Sequence, residues 1–163
     1  MTKPKSRPKP YADTKVGVDK SRTDISKLLE QHGVTAVQWT TTPPHRSILR
    51  FQFIHAGITM MVRLVVDPPR QGDPLQRGLR GDAADKHWKK QAMRLHRTLY
   101  WAVKSKLEVI ESGLESPIDV WLPAIESGQQ TFAERIVPNI ADFAEADYSV
   151  GGILALPAAT VTR

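Results

Sequence analysis

Six residues between Lys86 and Lys104 carry the clearest chemical signal in the chain. Lys86, Lys90, Arg94, Arg97, Trp101 and Lys104 recur every three or four positions, and on a helix they share a sector about 80° wide. The result is a line of five cations with one indole among them. Cations at this spacing can follow a phosphate backbone while an indole stacks on a base, which is the chemistry of single-strand binding. Arg94 or Arg97 could add a cation–π contact to Trp101. The alternative is an ordinary solvated helix face. The stripe reads as missing Glu/Asp partners at i±4, which weighs against that alternative.

A second pair of cations stands in "ILRFQFIHAGITMMVRL", Ile48 to Leu64. A two-residue turn at Ala56-Gly57 makes this a β-hairpin and sets Arg50 directly opposite Arg63. Like charges facing across a strand pair are destabilising. Three explanations stand side by side. The face binds phosphate or nucleotide; the first helix or another subunit covers it with an acidic side chain; or the register slips by one residue.

Other chemistries are poorly represented. With no cysteine there are no disulfides, thiolate nucleophiles or cysteine-bound metals. The five histidines, His32, His45, His55, His87 and His96, form no paired metal spacing. Asp82, Asp85 and His87 cluster in "GDAADKHW", where Asp82 is more simply a helix cap. Glu108 and Glu111 read as surface residues. There is no G-x-S-x-G and no dinucleotide fingerprint. The expectation is a non-enzymatic protein with no metal and no cofactor.

The elements that must position these residues make an α+β domain. "SRTDISKLLEQHG" is a short helix, capped by Ser21 or Thr23 and closed by Gly33. Strands follow at about 34–40, 47–55 and 58–66, as a three-stranded antiparallel sheet. In the hairpin Leu49, Phe51, Phe53, Met60, Val62 and Leu64 share one apolar face, while Ile48, Arg50, Gln52, Ile54, Thr59, Met61, Arg63 and Val65 make an amphipathic floor. "DPPRQGDPLQRGLRGD" (67–82), with Arg70, Arg77 and Arg80, reads as a loop. A long helix runs from about Asp82 to Ser112 with Gly113 as its stop, packed on one sheet face through Trp88, Ala92, Leu95, Leu99, Ala102 and Ile110. The C-terminal part is helical, at about 118–126 and 132–146, with a Thr131/Glu134 capping box and a break at Pro138. The domain plan is a disordered basic arm (1–20), a core (21–113), and an acidic helical region with an apolar strap (114–163).

Charge is polarised along this plan. Residues 1–22 carry net +5, residues 23–106 net +8 and residues 107–163 net −7. A basic body attracts polyanions, nucleic acid first among them; a dipolar protein whose ends neutralise each other in an oligomer has the same pattern. No apolar run reaches the ~20 residues of a membrane span, and the N-terminus lacks a secretory apolar core. The expected location is the cytoplasm of a bacterial host.

The segments "RLHRTLYWAVKSKLEVIESG" and "TFAERIVPNIADFAEADYSVGGILALP" together resemble a group of small proteins from bacteriophages, prophages and plasmids. The resemblance spans Thr23 to Pro157; it implies a mobile-element origin and carries no activity. In topology alone, a helix, three antiparallel strands and a long helix are similar to the core of ring-forming single-strand annealing proteins, which bind DNA in a groove between subunits.

The leading expectation is a nucleic-acid-binding protein of a phage or mobile element, with single-stranded DNA as partner and a homo-oligomer formed through the acidic region. Its rivals are a protein-interaction or inhibitory phage protein and a structural assembly subunit. The geometry raises one difficulty. A helix packed on one sheet face points its basic stripe away from the sheet, leaving Arg50 and Arg63 on the far side.

Overall fold

The hairpin organises everything else. The computed structural model describes residues 10–34, 36–42, 46–68 and 78–140. The start of the basic arm, most of the 67–82 loop and the apolar strap lie outside the described residues. Strands β1 (Val37–Thr42), β2 (Arg46–His55) and β3 (Ile58–Val66) form an antiparallel sheet in that order. The β2–β3 register is the expected one, including Arg50 opposite Arg63. Both turn residues have positive φ, Ala56 at 51° and Gly57 at 78°. That is the type I′ geometry whose twist suits a two-residue hairpin.

Helix α1 (Val18–Gln31) precedes the sheet. It begins before the expected Ser21, so residues 18–20, expected in the basic arm, are helical. Its N-cap is Gly17, with no side-chain cap. Ser21 is instead fully buried on the helix's inner stripe with Ile25 and Leu29. The C-terminus closes as expected. Val34 N–H donates to the Leu29 carbonyl and Gly33 N–H to that of Glu30, with Gly33 at φ 80°. This Schellman pairing favours glycine at that position.

Helix α2 (Asp82–Glu111) has nearly the expected bounds. Its N-cap is Gly81 rather than Asp82, which sits in the first turn, where a carboxylate still interacts well with the helix dipole. The buried stripe differs. Ala84, Trp88, Ala92, His96, Val103 and Leu107 are buried, whereas Leu95 and Leu99 are half-buried and Ala102 is exposed. The reason is a second neighbour. α2 packs against α1 as well as the sheet, so its buried arc is turned toward both.

Both helices lie on the apolar sheet face. Ile25 and Leu29 of α1, Leu49 and Phe51 of β2, Val62 of β3, and Val103 and Leu107 of α2 form one core. Val120 and Trp121 of helix α3 (Pro117–Trp121) join it. Trp121 meets Phe51 edge-on, with ring centroids 5.1 Å apart. Burying such a side chain contributes roughly 1.5–3 kcal/mol.

The acidic region is less helical than expected. After α3 come a 3-10 turn (Leu122–Ala124), a small hairpin of β4 (Glu126–Ser127) and β5 (Gln130–Thr131), helix α4 (Phe132–Ile136) and a second 3-10 turn (Val137–Asn139). The Thr131/Glu134 capping box forms, with Thr131 Oγ1 accepting from Glu134 N–H at 3.2 Å. Pro138 interrupts the helix as expected. The region attaches at the free edge of β3, where Ile125 forms a β-bridge with Val62. No helix among the described residues is long and apolar enough to cross a membrane.

Candidate nucleic-acid interface

The α2 stripe faces away from the core, and its residues differ in what surrounds them. Lys86 and Lys90 are exposed and Arg94 is half-buried. Arg94 Nε donates to Gln91 Oε1 at 3.0 Å. Among the described residues, Lys86 and Arg94 have no acidic partner. Lys90 lies 3.6 Å from Asp13, a carboxylate almost wholly in solvent. Exposed pairs of this kind contribute at most about 1 kcal/mol and weaken in salt. Lys104 is 3.5 Å from Glu108. The stripe therefore does have an i,i+4 acidic partner, at its C-terminal end.

Arg97 departs furthest from its expected part. Its guanidinium reaches Asp24 of α1 at 3.3 Å and lies 4.2 Å from the Tyr100 ring centroid. The side chain is only 19% exposed. Lys20's hydrogen bond, reinforced by the nearby charges of Lys20 and Arg97 against a cost of burial, holds the Asp24 carboxyl below its ordinary pKa. Arg97 thus joins the two helices and supports the aromatic residues rather than presenting a free charge.

Trp101 is 40% exposed. Lys104 Nζ lies 5.2 Å and the Arg97 guanidinium 5.5 Å from its ring centroid. Tyr100 meets it edge-on at 5.2 Å, and Tyr11, from the segment before α1, lies parallel to it at 6.3 Å. Sequence reasoning missed Tyr11. A lone tyrosine beside "KPKP" has no periodicity to place it.

Arg50 and Arg63 belong to a different structure. Glu126 Oε1 lies 3.1 Å from Arg50 Nε and 3.2 Å from Arg63 Nε, and Glu134 pairs with Arg63. Arg63 is 10% and Glu126 15% exposed. The carboxylate explanation accounts for the facing arginines, with the acid supplied by the chain's own C-terminal region rather than by α1 or another subunit. Glu134's carboxyl is held below its ordinary pKa first by the Thr131 backbone N–H and then by Arg63. The pair lies on the sheet face opposite α2, so the two expected sites do not converge.

A buried polar cluster also went unforeseen. His96 Nε2 lies 3.1 Å from Ser47 Oγ, and His96 Nδ1 lies 2.8 Å from the Ala92 carbonyl. Facing a carbonyl, Nδ1 must carry the proton, so Nε2 accepts from the Ser47 hydroxyl. Ser47 in turn accepts from Arg22, which also donates to Thr41 at 3.1 Å and lies over Trp39. The serine–histidine spacing is that of a nucleophile and its base, but each residue is only 1% exposed. In this conformation the cluster ties α1, β1, β2 and α2 together. Burial lowers the His96 pKa, and the Arg22 charge lowers it further.

At the hairpin-tip end, a cleft of about 440 Å³ is lined by Phe53, Ile54, Leu107, Ile110 and Trp121, with His32 and Glu111 beside them. His32 and Glu111 are 3.6 Å apart. Among the described residues no three histidine or carboxylate groups gather as a metal site.

No family model, curated protein or solved structure matches this chain.

Proposed function

We propose that the exposed face of α2 binds nucleic acid, single-stranded DNA first, without catalysis, and that the chain serves a phage or other mobile element in a bacterial cytoplasm. One observation carries the binding part. A half-exposed indole, Trp101, stands on a helix face with Lys86, Lys90, Arg94 and Lys104. Lys86 and Arg94 lack a carboxylate among the described residues, so they remain available to phosphates. A flexible single strand can put a base on Trp101 while its backbone follows the cations. The origin rests on the resemblance to phage and plasmid proteins alone. Arg50 and Arg63 fall outside this site, because Glu126 and Glu134 already neutralise them.

The test is fluorescence anisotropy with labelled single-stranded DNA, double-stranded DNA and RNA across a salt series. Binding at ~50 mM salt, falling steeply as salt rises, is expected. No binding to any of the three at that salt overturns the reading.

A second reading has its own observation. Ile54 and Ile58 at the hairpin tip are 72% and 61% exposed, and Leu114 is 79% exposed. Apolar groups of this size suit a protein partner, as an inhibitory or assembly protein requires. A stoichiometric protein complex without nucleic-acid affinity, seen by pull-down and light scattering, favours it.

A further inference from the structure

The segment before α1 lies against the α2 stripe at two points. Tyr11 is stacked parallel to Trp101, with ring planes 8° apart, and Asp13 approaches Lys90. A turn shapes the segment. Thr14 N–H donates to the Tyr11 carbonyl at 3.1 Å, and Tyr11 has φ 56°, unusual for a side chain of its size. Val16 N–H donates to Thr14 Oγ1 at 3.2 Å, and the chain then enters α1. Tyr11 is thus aimed at Trp101 by a shaped backbone.

The charges make this placement informative. Lys3, Lys5, Arg7, Lys9 and Lys15 surround Tyr11 in sequence, and Asp13 is the one acid before Val18. The sequence thus leads a cationic stretch into Tyr11, and Tyr11 itself stands beside a cationic helix face. Among the described residues, an exposed ion pair and one ring pair join the segment to α2. A polyanion lying between the two would neutralise both sides at once. The two rings then serve as a pair of stacking surfaces, one from each side.

From this geometry we propose that the Tyr11 segment and the α2 face form a two-sided clamp for one polynucleotide strand, with Tyr11 as a second stacking residue beside Trp101. The proposal rests on the nucleic-acid reading of α2 and adds a wall that this reading does not require. Lys90 and Lys104 follow the phosphates on the helix side. Asp13, which lies 3.6 Å from Lys90, yields it to a phosphate when the strand enters.

The experiment uses the full chain and an unlabelled oligothymidylate, read by quenching of intrinsic tryptophan fluorescence and by anisotropy of a labelled competitor. Tyr11→Ala is expected to weaken binding about tenfold, the usual scale for losing one stacked base. Tyr11→Phe is expected to bind like the wild type, and Tyr11→Ala on Trp101→Ala is expected to cost much less than on the wild type. Circular dichroism confirms that the exposed substitution leaves the fold intact. If Tyr11→Ala binds as tightly as wild type or tighter, while wild type itself binds, the clamp is wrong and the α2 reading survives; tighter binding would make Tyr11 a cover over Trp101. If wild type does not bind at all, both fall together.

Discussion

Glu126→Gln removes one charge from between two arginines and changes almost nothing in shape. Glu126 contacts both Arg50 and Arg63, which the hairpin register places face to face. Removing one member of a fully buried ion pair costs roughly 3–5 kcal/mol, and an exposed pair contributes about 1 kcal/mol or less. This site lies between those limits. Glu126 is 15%, Arg63 10% and Arg50 29% exposed, and Arg63 keeps Glu134 as a partner. The expected loss is therefore about 2 kcal/mol, a fall in Tm of roughly 4–8 °C for a chain of this length. Urea unfolding followed by circular dichroism measures it, with an unchanged m value showing that only stability moved. The same substitution on Arg63→Thr should cost less than about 1 kcal/mol, because the facing charge is gone. A Glu126→Gln protein within about 0.5 kcal/mol of wild type, the ordinary range of neutral surface changes, would refute the argument that this carboxylate resolves the arginine pair.

Three further outcomes are expected. His96 binds its proton more weakly in the folded chain than at its ordinary value of 6.5, so below that pH the unfolded state holds more protons and stability falls as pH falls; urea midpoints between pH 7.5 and 5, about the range in which histidine titrates, should show the decline, and His96→Gln should remove its histidine component. Ala56 holds φ 51° in the hairpin turn, where glycine avoids a penalty of ~1–2 kcal/mol but adds unfolded-state entropy; Ala56→Gly should raise stability by about 0.5–1 kcal/mol in chemical denaturation. In the salt series, Arg94→Ala should flatten the slope of log K against log salt by about 0.7 for a single strand, whereas Arg50→Thr with Arg63→Thr should leave it unchanged.

What could be foreseen followed from local physics. The hairpin register came from six apolar residues that align only one way, together with Ala56-Gly57 as its turn. The extent of α2 followed from the Pro-free run between Gly81 and Gly113. The start of α1 was missed because Gly17 offers no capping side chain to recognise. The phase of α2's buried stripe was missed because periodicity identifies an apolar arc without saying that α1 as well as the sheet lies against it. His96, on the flank of that arc, gains its place through Ser47 and Trp39 on other elements. Glu126 was the hardest to see, since no sequence pattern joins it to Arg50. The Ser127-Gly128 pair did mark a turn, and a hairpin there moves Glu126 out of the expected helix. Glu134 was legible as a helix cap, but its contact with Arg63 was not.

The carboxylate arrangement on the far sheet face also sets an order of events. Arg50 and Arg63 are brought together by a two-residue turn, the kind of local contact that forms in roughly microseconds. Their counter-charge comes from Glu126, 76 residues after Arg50, and from Glu134, 71 residues after Arg63. During synthesis the hairpin therefore leaves the ribosome with its repulsion unanswered, and it stays so until the acidic segment follows. The same arrival adds Ile125 to the otherwise open margin of β3, where a nascent sheet is most prone to pair with a neighbouring chain. Neutralising the arginines and closing that margin are thus one step in the maturation of the fold, and a chain stopped before Ile125 lacks both.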